Sequence, residues 1–174
     1  MDTPQTLPRA VRDVDWTRWA PTVRATLLFV IRAGRVLLIR KKRGLGAGKI
    51  NGPGGKLDPG ETPLQAALRE TEEEVGVRVP TATHRGTLEF QFVDGLAMRV
   101  EVYVWDAPAD AVIEPVETDE ALPLWAPLTA LPLDEMWADD ALWLAHALGG
   151  RSVQLKAVFE GDVMLDAALT LDAV

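Results

Sequence analysis

Cysteine is absent from the 174 residues, which excludes disulfides and thiolate zinc sites. Histidine is scarce: His84 and His146 stand far apart. A His-based metal centre or catalytic dyad is unsupported, and each reads as a polar surface or helix residue. No uninterrupted apolar run of about 18 residues exists, so no membrane span is read. The best early run, Leu27 to Ile31, is closely bracketed by Arg24 and Arg32. Asp2, Asp13 and Asp15 precede any apolar run, and no small-residue cleavage site follows a suitable segment. The start therefore does not read as a secretory signal, and a cytoplasmic location is the default expectation. Positive charge is in deficit, with 18 Lys and Arg against 26 Asp and Glu and a net charge of −8. That balance argues against binding nucleic-acid backbone. It leaves a small anionic substrate open, because metal ions bridge protein carboxylates to phosphates.

What is present suits one domain with a sizeable core, since 48% of the residues are apolar. Residues 1–21 are polar and proline-containing and read as an arm whose Trp16 and Trp19 dock on the domain. Thr22 to Ile31 reads as a strand, Ala33-Gly34 as a turn and Arg35 to Lys41 as its hairpin partner. Arg43 to Gly60 is a glycine-rich loop with at most a short strand. Thr62 to Val75 is the clearest helix. Thr87 to Val93 and Met98 to Trp105 form a second hairpin around Asp94-Gly95. A proline-bearing stretch runs from Ala107 to Pro132. Asp139 to Leu148 reads as a second helix, ended by Gly149-Gly150. Val153 to Phe159 and Val163 to Leu169 close the chain as strands around Gly161-Asp162. Strands mixed with two helices indicate an α/β domain in which helices cover a sheet.

The first helix carries the strongest local signals. Thr62 caps it, Pro63 fits its first position, Gln65 completes a capping box and Gly76 stops it. Leu64, Leu68, Thr71 and Val75 fall on one face, directed at the sheet. Glu70, Glu73 and Glu74 cluster on another face. Taken alone, this is an ordinary solvated acidic face. Negative charge near a helix C-terminus opposes the macrodipole, however, so propensity does not favour it there. Three carboxylates this close are better tolerated around a cation, and oxygen donors suit Mg²⁺ or Mn²⁺. Other phosphate-handling motifs are missing. No Gly-x-x-x-x-Gly-Lys-Ser/Thr occurs, and no Gly-x-Gly-x-x-Gly opens a helix in a βαβ unit.

Gly55 to Val77 resembles the Nudix box: a glycine, five residues, a glutamate, seven residues, then Arg-Glu-apolar-x-Glu-Glu-x-Gly-apolar. Gly55, Glu61, Arg69, Glu70, Glu73, Glu74, Gly76 and Val77 fill the fixed positions. The soft departure is Thr71, where an aliphatic residue is usual. The resemblance implies an α/β/α Nudix fold over residues 22–174, a mixed sheet between helices. It also implies cleavage of a nucleoside triphosphate-like substrate between phosphates with Mg²⁺, or Mn²⁺ in its place. Glu73 and Glu74 would bind the metal, with Glu70 a ligand or the base that activates water. The Gly54 carbonyl would add a ligand, Arg69 would orient the carboxylates, and Glu61 would brace the loop or contact water at the metal. Metal ions make bound water more acidic and neutralise phosphate charge during in-line attack.

Outside the box the chain is similar to the MutT-type branch of that family, including its animal members that act on oxidised purine nucleoside triphosphates such as 8-oxo-dGTP. The matching stretches are Lys41 to Lys49, Asn51-Gly52, Gly54 to Lys56, Phe90 and Phe92, Glu117 to Glu120, Met136 to Asp140 and the closing strands. On that resemblance Asn51, Asp139 and Asp140 would read the purine edge and Trp137 would stack on the base. Phe90, Phe92, Met98, Thr26 and Lys41 would line the pocket, and Glu117 would be a further metal ligand. Asparagine supplies both donor and acceptor, and two adjacent buried carboxylates keep a proton between them. The plainer alternatives are a helix cap for Asp139 and Asp140 and core packing for the aromatic residues. Leu45 and Pro53 stand where aromatic residues border the base in the animal members, and residues 1–21 have little counterpart there. The expected activity is cleavage of an oxidised purine nucleoside triphosphate to monophosphate and pyrophosphate. Dinucleoside polyphosphates, nucleotide sugars and inositol phosphates are the alternative substrates. A non-catalytic nucleotide sensor is the alternative of another kind, disfavoured by the intact glutamates.

Overall fold

Alternation along the strands divides the core into two halves. In β1 (Val23–Arg32) Leu28 and Val30 point to one side while Phe29 and Ile31 point to the other. β2 (Arg35–Lys41) repeats this, with Leu37 and Ile39 opposed to Val36 and Leu38. A strand apolar on both sides needs cover on both faces. The first helix, α1 (Pro63–Val75), packs Ala67 and Val75 on the side of Leu28 and Leu37. The second, α2 (Asp140–Leu148), packs Trp143, Leu144 and Ala147 on the side of Phe29 and Leu38. The computed structural model describes residues 6–172 and is thus a mixed sheet sandwiched between helices. Residues 1–5 of the expected arm and 173–174 of the expected domain lie outside the described residues.

The sheet contains nine strands among the described residues. Besides β1 and β2 these are β3 (Ile50–Asn51), β4 (Gly54–Lys56), β5 (Thr83–Phe92), β6 (Ala97–Asp106), β7 (Ala121–Pro127), β8 (Val153–Glu160) and β9 (Val163–Leu171). The main order is β3-β2-β1-β6-β5-β8-β9. β1 pairs with β6 and β5 with β8 in parallel, and the other pairings are antiparallel. β1 and β2 leave the Ala33-Gly34 turn paired at Val30–Arg32 and then diverge. β4 takes up β1 at Ala25–Leu27, and β3 takes up β2 at Ile39 and Arg40. The glycine-rich loop is therefore wedged into the sheet at the place where the two strands part.

Several boundaries differ from the sequence expectation. The proline-bearing stretch contains β7, which pairs with β2 along its whole length. Pro123 and Pro127 lie in it and cannot donate to a ladder, but β7 pairs on one side only, which tolerates them. β5 starts at Thr83, four residues before Thr87, and bulges between His84 and Gly86. Helix α1 has the expected ends: Thr62 Oγ1 accepts from Gln65 N at 3.2 Å, Gln65 Oε1 accepts from Thr62 N at 2.9 Å, and Gly76 takes a left-handed φ of 69°. Thr71 is fully buried and turns its hydroxyl back to the Ala67 carbonyl at 2.8 Å.

Candidate active site

Arg69 organises the acidic residues of α1 and the loop before it. Its Nε and Nη2 donate to the two oxygens of Glu61 at 2.7 and 2.9 Å. Nη1 donates to Glu70 at 2.9 Å and Glu73 at 3.0 Å, and Nη2 also reaches the Lys56 carbonyl at 3.1 Å. A planar guanidinium suits this bidentate pairing, which a lysine would not reproduce. The hydrogen bonds from Arg69 hold the Glu61 carboxyl down at about 2. The same pairing raises the guanidinium further above its already high value. Glu61 also accepts from Asp58 N at 2.8 Å, so it ties the loop to the helix.

Glu74 behaves differently. It is 5% exposed and accepts one hydrogen bond, from Gly54 N at 3.2 Å. Burial, and next the nearby Glu70, push its carboxyl up to about 7. Burial also raises Glu70, against the pull of Arg69. Oxygen atoms of Glu70, Glu74 and Glu120 lie within 4.8 Å of one another. A group of hard carboxylate oxygens at this spacing, with the innermost forced toward its neutral form, fits a divalent cation that would reverse that shift. Glu73 is more exposed, at 57% of its side chain, and is held by Arg69.

Glu120 is the carboxylate that sequence reasoning missed. Glu117, named as a ligand from the resemblance, lies outside the group and pairs with Lys42 Nζ at 2.6 Å. Lys42 also donates to the Thr118 carbonyl at 2.7 Å, and Arg43 reaches Glu120 at 2.5 Å. In the acidic run Glu117 to Glu120, the side chain facing Glu74 is decided by the start of β7, the strand not foreseen. A recognised strand at Ala121 would have been the signal.

Next to this group lies a cavity of about 390 Å³. Thr26, Lys41, Asn51, Phe90, Phe92, Met98, Trp137, Asp139 and Asp140 all line it. Leu88, Leu96, Val100 and Phe159 also line it and were not named from sequence. Leu88 and Val100 follow from Phe90 and Met98 by two-residue periodicity. The wall is predominantly aromatic and aliphatic, with a few polar groups, as small-molecule sites are. Trp137 meets Phe159 edge-on, with centroids 5.6 Å apart, and Lys49 Nζ lies 5.2 Å from its ring centre. Of the two departures, Leu45 borders the cavity and is 48% exposed. Pro53 is buried, and its carbonyl accepts from Leu28 N at 2.8 Å.

Asp139 and Asp140 are each 3% exposed. Asp139 Oδ2 accepts from Trp143 Nε1 at 2.8 Å, and Asp140 Oδ2 accepts from Trp137 N at 3.2 Å. Asp139 makes no side-chain cap on α2. Burial pushes Asp139 up to about 6 and Asp140 well above the usual carboxylate range, with repulsion from Asp139 adding to the second. Burial and mutual repulsion therefore both oppose ionising the two carboxyls together. Asn51 turns Oδ1 to Gly52 N at 2.8 Å.

The two halves of the site meet at Gly54 and Gly55, which both line the cavity. A Cβ on Gly54 would overlap the Thr26 carbonyl, and one on Gly55 would overlap the Glu70 carboxylate. The backbone contact at Gly54 requires glycine there, and a side chain at Gly55 would displace the Glu70 carboxylate. His84 is remote from the site and pairs with Glu101 on the outer side of the sheet at 2.7 Å.

Comparison with known proteins agrees with this geometry. The NUDIX domain model matches residues 21–147. The chain is 47% identical over 145 residues to the oxidized purine nucleoside triphosphate hydrolase of Danio rerio, covering 83% of this chain and 92% of that one. It is 42% identical over 119 residues to the Mus musculus protein of the same name, covering 68% and 74%. The crystal structure of a MutT protein from Bacillus halodurans superposes with a TM-score of 0.71 at 24% identity, over 84% of this chain and 97% of that one, a likeness of fold. The chain belongs to the Nudix family.

Proposed function

We propose that this protein is a Mg²⁺-dependent pyrophosphohydrolase that cleaves oxidised purine nucleoside triphosphates to monophosphate and pyrophosphate. The observation that carries the reading is the junction at Gly54-Gly55, where a carboxylate cluster directly adjoins an apolar cavity with a buried aspartate pair. A base seated in the cavity would place its phosphates toward the cluster. The relatives from Danio rerio and Mus musculus, named for hydrolysis of oxidized purine nucleoside triphosphates, support the same substrate class.

Glu70, Glu74 and Glu120 would hold the cation, with Glu73 and the Gly54 carbonyl beside them. Mn²⁺ has the same preference for oxygen ligands. When bound, the cation acidifies water and neutralises charge that develops on the phosphates. Arg69 keeps Glu70 and Glu73 oriented, and Glu61 braces Arg69. Glu70, held by Arg69 at the edge of the group, would serve either as a ligand of the cation or as the base that takes a proton from the attacking water. Phe90, Phe92, Met98 and Trp137 give the base an apolar seat. Thr26 and Lys41 border it, and Asn51 offers an amide. One member of the Asp139–Asp140 pair donates while the other accepts, so relocating their shared proton would let the pair meet different purine edges.

Product analysis across nucleoside triphosphates, dinucleoside polyphosphates, nucleotide sugars and inositol phosphates tests the proposal. Release of pyrophosphate and monophosphate from purine nucleoside triphosphates, lost in Glu74→Gln, is expected. Turnover confined to another class, or undiminished in Glu74→Gln, would contradict it.

A further inference from the structure

The cavity wall has a reverse side. Alternation in β5 and β6 directs Phe90, Phe92 and Met98 into the cavity and places Glu89, Gln91 and Arg99 on the opposite face. The segment before β1 lies across that opposite face. Val11 N donates to Asp166 Oδ2 at 2.8 Å, and Lys156 Nζ sits 5.3 Å from the ring centre of Trp16. Trp16 packs on Trp19 with centroids 5.4 Å apart. Arg99 lies 5.6 Å from the centre of the Trp19 ring, and Trp19 Nε1 donates to Gln91 Oε1 at 2.9 Å.

Gln91 is engaged at both ends of its amide. While Oε1 accepts from Trp19, Nε2 donates to the carbonyls of Phe92 at 2.9 Å and Leu96 at 3.4 Å. Those two carbonyls also close the β5–β6 turn, accepting from Gly95 N and Phe92 N at 3.0 and 2.8 Å. The side chains of Phe92 and Leu96 line the cavity. An indole N–H can only donate, so it fixes which end of the Gln91 amide faces the turn.

We propose that Trp19 is a positioning residue for the base cavity, acting through Gln91 on the Phe92–Leu96 turn that forms its wall. The proposal rests on reading the cavity as the base site. Trp19 precedes residue 21, where the match to the family model begins, so a segment outside that match would shape substrate recognition.

Trp19→Phe keeps an aromatic ring beside Arg99 and removes the N–H, while Gln91→Leu removes the relay. Trp19→Phe is expected to raise KM for an oxidised purine nucleoside triphosphate about two- to fivefold with kcat unchanged, the order of one neutral hydrogen bond. The double variant should match Gln91→Leu alone, since both act through one path. Amide NMR of nucleotide-free protein should show Phe92, Val93, Gly95 and Leu96 shifted in Trp19→Phe and α1 unmoved. Unchanged KM and unmoved turn amides, with a loss of thermal stability only, would overturn the proposal. Should the wild type hydrolyse no purine nucleotide, the reading of the cavity fails. The amide shifts then decide the relay separately: shifted turn amides support it, and unmoved ones overturn it.

Discussion

Asp139 and Asp140 stand side by side in a place that little solvent reaches, so ionising both is costly. Their carboxyls are raised in the folded chain relative to the unfolded one. A raised carboxyl stabilises the fold below its unfolded value near 4, and that contribution is lost as pH rises through the folded value, about 6 for Asp139. Melting temperature should therefore fall between about pH 4 and pH 6, and Asp139→Asn should flatten the slope there. An equal slope in the variant would refute the assignment. The same pair bears on the choice of base. Asp139→Asn and Asp140→Asn each fix one donor–acceptor arrangement, so each should shift the ratio of kcat/KM between oxidised and unmodified purine nucleotides. An unaltered ratio in both variants would rule out shared-proton recognition.

Among elements, α1 and β4 act as a unit. The helix was legible from Thr62, Pro63, Gln65 and Gly76 because capping and stopping are local interactions, satisfied within a few residues. A short strand was allowed within the glycine-rich loop, where two occur, but the place of β4 was not legible because its role is a close approach to Glu70 and Thr26. Gly55→Ala should push the Glu70 carboxylate aside and weaken Mn²⁺ binding about ten- to a hundredfold, as loss of support around a metal site does. Mn²⁺ titration followed by electron paramagnetic resonance measures this, and wild-type affinity would show that the contact is immaterial. β7 was concealed by Pro123 and Pro127, and with it the identity of the acidic residue that joins Glu70 and Glu74. Local propensity could not reveal a strand whose prolines are tolerated because it pairs on one side only.

At the scale of the molecule, the α/β class followed from strands mixed with two helices, and the box identified the family. The divergence of β1 from β2 did not follow, because it depends on β4 replacing β2 beside β1 and β3 replacing β1 beside β2. The docking of Trp16 and Trp19 was anticipated without its location. Their partners Gln91, Arg99 and Lys156 lie more than seventy residues away in the chain. These long-range arrangements bring a carboxylate cluster and an apolar cavity to one strand, and the account stands on their acting together. The most direct test is hydrolysis of 8-oxo-dGTP beside dGTP with and without Mg²⁺, scored as kcat/KM from pyrophosphate and monophosphate release. Mg²⁺-dependent turnover with higher kcat/KM for 8-oxo-dGTP is expected. Equal values for the two nucleotides, or hydrolysis of neither, would contradict it.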